Sequence, residues 1–247
     1  MSEHTNNPLV VIIGSSSGIG KYLAETFAFK DRKVIGISRR TPCNLIKLPN
    51  YTHYNCDITS DVELSLLTKS LINDHCIQSS TFGSVTVVFM SGSNTPKPFL
   101  SYTRLEISQL LDLNLMGNIW LTRILLDLFS KCYRVNFIYA SSIWSSMSAA
   151  FRAPYGASKA AIDALVRHLT AEYIDSSFFF FSLALGFVDT PLTQKTILDP
   201  VISSKLTRLS ASPFVPLIDI FLTIELLEAT TSLKGATIDI SNGYQFL

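Results

Sequence analysis

Short β-rich runs, several of them apolar on successive residues, arrive along this chain, separated by longer stretches in which apolar residues recur every three or four positions. The runs are Leu9–Ile13, Lys33–Ile37, Val85–Met90, Val135–Ala140, Phe178–Leu185 and Ala236–Ile240. The successive apolar residues are the pattern of strands covered on both faces in a parallel sheet. Helical spacing marks Gly20–Lys30, Ser60–Asp74, Ser101–Ser130, Tyr155–Asp175 and Pro213–Glu228. A weaker strand, Thr52–Asn55, is expected at a sheet edge. This alternation predicts an α/β fold, a doubly wound and mostly parallel sheet with helices on both faces. No repeat or long linker divides the chain, so residues 1–247 read as one domain, with 1–7 expected as a disordered tail. The stretch 191–213 holds turn formers without a period, as expected of a substrate loop or lid.

Composition narrows the function classes. Hydrophobic residues make up 47% and charged residues 16%, enough for a sizeable core. Twenty basic side chains stand against nineteen acidic ones with no clustered excess, so no nucleic-acid partner is expected. Cys43, Cys56, Cys76 and Cys132 are widely and irregularly spaced, which argues against a thiolate metal site and for free thiols in a reducing cytosol. A cytoplasmic protein without a metal is therefore expected. The N-terminus lacks the build of a signal peptide, and the most apolar stretch, Phe178–Val188, is too short to span a bilayer. No membrane partner is expected.

The first strand runs directly into Gly14-Ser15-Ser16-Ser17-Gly18-Ile19-Gly20, and a helix follows at once. Glycines there permit a tight turn and close approach of a pyrophosphate, which the helix N-terminus then attracts. The second strand ends in Ser38-Arg39-Arg40, where an acidic residue would favour NAD(H). Hydroxyl and guanidinium donors suit a 2′-phosphate, so NADP(H) is the expected cofactor, with Arg39 the first candidate and Arg40 the reserve. In Pro154-Tyr155-Gly156-Ala157-Ser158-Lys159, the proline suits a first helical turn and places Tyr155 and Lys159 on one face. An adjacent ammonium is expected to lower the phenol's pKa and make Tyr155 a general acid/base. Ser142, just past a strand, can polarise a carbonyl beside it.

These motifs, in this order, resemble the short-chain dehydrogenase/reductase family over residues 8–243. The resemblance implies the Rossmann fold and gives Asn114, in Asn114-Leu115-Met116-Gly117, the role of bending a helix and anchoring a water behind Lys159. It matches Asp57 to an aspartate that holds adenine, although the residue could equally cap the helix near Ser60. It also matches Gly186, Val188 and Thr190 to a segment that holds the nicotinamide carboxamide. Departures are Phe89-Met90-Ser91-Gly92 in place of N-N-A-G, with Ser91 and Gly92 on the cofactor floor, Leu185 in place of proline, and Asn242 in place of glycine. Trp144, Phe151 and Phe187 flank the motifs and are candidates for the substrate wall. The implied function is carbonyl reduction, or oxidation of the corresponding alcohol, of a small organic substrate by a homodimer or homotetramer. The alternative is a non-catalytic NADP(H) sensor on the same fold. Reductases of fatty-acyl groups, steroids, sugars and small metabolites share these motifs, so the substrate stays open.

Overall fold

Five successive apolar residues, Leu9–Ile13, form β1 in the computed structural model, which describes residues 8–74, 77, 82–194 and 214–244. The other strands are β2 (Lys33–Ser38), β3 (Tyr51–Asn55), β4 (Ser84–Phe89), β5 (Arg134–Ser142), β6 (Phe178–Leu185) and β7 (Thr237–Ile240). They make one sheet in the order β3-β2-β1-β4-β5-β6-β7, parallel throughout. Val11 sits opposite Ile35 on one side and Val87 on the other. The strand order reverses between β1 and β4, so a crevice opens there beyond the carboxyl ends.

The helices are α1 (Gly18–Phe29), α2 (Asp61–Asn73), α3 (Arg104–Leu111), α4 (Gly117–Leu128), α5 (Ala153–Glu172) and α6 (Leu217–Ala229). Alternate residues of β1 feed opposite layers. Leu9, Val11 and Ile13 pack with Leu64, Leu121, Leu125 and Val166, from α2, α4 and α5. Val10 and Ile12 pack with Leu23, Phe27, Phe221 and Ile224, from α1 and α6. Both faces are therefore covered, which is why several strands read as unbroken apolar runs. The edge strand β3, expected from Thr52, begins one residue earlier.

The expected single helix over Ser101–Ser130 is a correction. Thr103 and Glu106 form a capping box that starts α3. A π-turn at Asp112–Met116 then interrupts the helical ladder before α4. Asn114 lies in that turn, and Gly117 follows it so close to β3's loop that a Cβ there would sit 2.7 Å from the Ile58 carbonyl oxygen. No helix among the described residues is long and apolar enough to cross a membrane. The tail 1–7 and positions 195–213 of the expected loop lie outside the described residues.

Candidate active site

The turn after β1 is built from backbone constraints. Gly14 has φ +89°, and a Cβ on it would lie 2.7 Å from the Ser91 amide, so the turn presses against the loop after β4. Gly18, at φ +55°, opens toward Thr190. Gly20 faces the Gly14 carbonyl with no room for a side chain. Ser17 caps α1 in extended geometry, yet its side chain makes no capping bond, and the first turn carries no acidic residue. The first amides of α1 thus remain available at the positive end of the helix. Gly14, Ser16, Ser17, Gly18 and Ile19 line one groove together with Ser38, Arg39, Arg40, Asp57, Ser91 and Gly92.

Within that groove Arg40 reaches to 3.5 Å from Ser17 Oγ, and Arg39 lies 3.8 Å from Asp57. The Ser38 hydroxyl donates to the Arg40 carbonyl. Asp57 does not cap α2; Ser60 does, accepting from the Glu63 amide. Asp57 instead accepts from the amide and hydroxyl of Thr59. Ser91, in place of the alanine of N-N-A-G, is hydrogen-bonded to Asn118.

The groove continues into a cleft lined by Ser142, Tyr155, Lys159, Gly186, Val188 and Thr190. Ser142 ends β5, while Tyr155 and Lys159 share one face of α5 with Pro154 in its first turn. Tyr155, Lys159 and Ser142 are all buried. Ser142 Oγ accepts from the Trp144 amide, and its hydroxyl acts on the Tyr155 phenol. The Lys159 ammonium donates to the Ala140 carbonyl at 2.7 Å and lies 5.8 Å from the centre of the Tyr155 ring. Asn114 is fully buried; its amide nitrogen donates to the Ser93 carbonyl and Ser158 Oγ, and its oxygen accepts from the Ser93 amide. Ser158 in turn donates to the Tyr155 carbonyl at 2.7 Å. The π-turn is thereby tied to the segment carrying the phenol. Thr193 donates to the Val188 carbonyl and shares a bond with Thr190, fixing the strand-end loop.

The electrostatics differ from the expectation. Burial pushes the Tyr155 phenol above its ordinary value, and the Ser142 hydroxyl and Arg152 guanidinium pull against that rise. Lys159 does not lower it. Burial pushes Lys159 itself down to about 8, opposed by Asp163 one turn along. The Lys159 ammonium is turned instead to the Ala140 carbonyl.

Trp144 and Phe187 meet edge to face at 6.3 Å, and Tyr244 packs on both. Phe151 is a correction: it is 56% exposed, adopts a left-handed φ of +65°, and is not among the residues lining the cleft. Arg152, its neighbour, takes that place beside Ser142 and Tyr155. Sequence reasoning missed Arg152, Asn94 and Tyr244. Only the position of Arg152, three residues before Tyr155, could have flagged it. Among the described residues no three His, Cys, Asp or Glu side chains group to hold a metal.

The donor set fits a dinucleotide: open amides at the start of α1, guanidinium groups at the end of β2, and bare backbone at Gly14 and Gly18. A doubly wound parallel sheet with such a turn at its switch point defines a dinucleotide-binding class of protein. Residues 8–200 match the family described as short chain dehydrogenase, and the chain belongs to this family of oxidoreductases. It is 26% identical over 205 residues to dehydrogenase/reductase SDR family member 7B of Rattus norvegicus, a match covering 78% of this chain and 62% of the rat protein. It is 26% identical to carbonyl reductase family member 4 of Xenopus laevis, covering 74% of this chain and 76% of that protein. Among solved structures, 4-hydroxyisoleucine dehydrogenase complexed with NADH superposes with a TM-score of 0.85 at 20% identity, covering 96% and 98% of the two chains. Actinorhodin polyketide ketoreductase with NADPH gives 0.86 at 16%, over the full length of both. These two likenesses concern the fold.

Proposed function

We propose that this protein is an NADP(H)-dependent reductase of a small carbonyl compound, working in the cytosol as a homo-oligomer. The observation that carries the reading is the convergence of Ser142, Tyr155 and Lys159 in one cleft that opens into the glycine-turn groove. Gly14 to Gly20 would hold the cofactor pyrophosphate, Arg39 and Arg40 its 2′-phosphate, and Val188 and Thr190 its carboxamide. When bound, the cofactor supplies hydride to the carbonyl carbon.

The chain's own residues supply the proton. Ser142 orients the carbonyl oxygen toward Tyr155, whose phenol donates to that oxygen as negative charge develops. Burial holds the phenol protonated, which suits the acid role in reduction. Lys159 and the Asn114 turn stand behind it as the route by which the proton is restored. Asn114 acts through Ser158 as a positioning residue.

NADPH oxidation followed with a panel of ketones tests this. Wild-type turnover that is lost in Tyr155→Phe, with NADPH affinity retained, supports the reading. Cofactor binding without turnover of any carbonyl would assign the alternative, a sensor. Failure to bind either dinucleotide would refute both.

A further inference from the structure

Arg152 occupies the position just before α5, in the pocket that holds Ser142 and Tyr155. Its guanidinium lies 5.3 Å from the centre of the Trp144 ring, a stacking distance. Elsewhere the chain pairs such cations: Arg32 with Glu228, and Lys97 with Glu106. Among the described residues Arg152 has no carboxylate partner. The groups that act on its charge are the phenols of Tyr155, Tyr102 and Tyr244. A partly buried cation without an anion is costly unless a ligand completes it.

Two further observations point into the same pocket. Asn94 lines it, and its buried side-chain oxygen has no hydrogen-bond partner. Phe151 holds an unfavourable left-handed backbone while its own ring is exposed. That turn is anchored by the Lys97 amide donating to the Phe151 carbonyl. The strained turn thus brings no apolar wall to the cleft, but it does deliver the next residue, a guanidinium.

We propose that Arg152 selects a substrate whose reacting carbonyl stands on a short chain ending in a carboxylate, so that the cleft reduces an oxo acid to a hydroxy acid. This rests on the reductase reading and names its substrate class. One planar guanidinium matches the two oxygens of one carboxylate. Arg152 is the one charged side chain among the residues lining this pocket, which suits the single charge of a carboxylate better than a phosphate dianion. The open Asn94 oxygen is an acceptor, so it is left for a hydrogen-bond donor such as water beside the adjoining chain and not for the carboxylate itself.

The test compares oxo acids of four to six carbons, the oxo group at each position from 2 to 5, with their methyl esters, by NADPH oxidation. At least one acid is expected to exceed its ester about 10-fold or more in kcat/KM, the scale of a hydrogen bond to a charged group. Arg152→Gln should erase that preference through the acid's KM, any effect on the neighbouring Tyr155 phenol being common to acid and ester, with NADPH affinity retained. Arg152→Lys should restore part of it, which a merely structural role would not do. Esters turned over as well as acids, or equal losses on both in Arg152→Gln, would overturn the proposal and leave the reductase reading intact. Preference for a phosphorylated ketone would overturn the carboxylate assignment. Turnover of neither acid nor ester would sink both readings.

Discussion

At the scale of single residues, the cleft is governed by burial more than by charge. Tyr155 is 8% exposed and its phenol is held protonated, so replacing it with phenylalanine removes the proton donor while leaving the pocket's shape. The expected loss in kcat is about 10²- to 10⁴-fold, the usual worth of a positioned acid. Lys159 gives a pH signature. In the free protein its ammonium is lost as pH rises through about 8, so kcat/KM for reduction falls above that pH, and Lys159→Met flattens the limb. Stability carries the opposite sign. The folded value lies below that of a free lysine, so between about 8 and the free value the unfolded chain binds more protons and this lysine's penalty is relieved. Denaturation at pH 7 and pH 10 should show the stability advantage of Lys159→Met shrinking at the higher pH. Arg40→Ala, which removes the guanidinium beside Ser17, should raise the NADPH Kd about 10-fold and leave NADH binding unchanged. The identities of Ser142, Tyr155 and Lys159 were legible in sequence as a family pattern. The direction of the Tyr155 shift was not, because desolvation depends on everything packed around the ring. Arg152 was not legible either, since nothing local separates a surface arginine from one turned into a cleft.

At the scale of elements, α1 is left uncapped at the end that faces the groove. Ser17→Asp should therefore split two measurements. An aspartate at this extended N-cap position can accept from the open amides and should stabilise the free protein by about 1 kcal/mol, raising Tm. The same carboxylate would repel a pyrophosphate, so NADPH binding should weaken at least 10-fold by titration. A rise in both stability and affinity would show that the turn does not bind phosphate. Six of the seven strands among the described residues were legible as β-rich runs, several of them apolar throughout because helices cover both faces; β3, with polar residues, was fainter. The break between α3 and α4 escaped the pattern. It is set by a carboxamide reaching from Asn114 to the backbone of Ser93, a contact across 21 residues. Periodicity reports neighbours along a helix and says nothing of such a bond.

At the scale of the whole molecule, Met116 and Trp120 sit one turn apart and remain 40% and 48% exposed beside the π-turn. A second copy covering them would account for apolar area that a monomer leaves in water. Light scattering should give a mass of two or four chains, and Trp120→Glu should lower it toward one while NADPH binding persists. A monomeric wild type would remove the oligomer from the proposal.

The strand order has a consequence for how the molecule comes into being. β1 is an interior strand, third from one edge of the sheet, flanked by β2 on one side and β4 on the other. During synthesis the sheet can therefore spread outward from its oldest strand, first to β3 and later to β7. Until Ser84–Phe89 has left the ribosome, one bare margin of β1 stays open to any passing strand. A nascent chain paused between β3 and β4 is thus the stage at which chaperone dependence should be greatest.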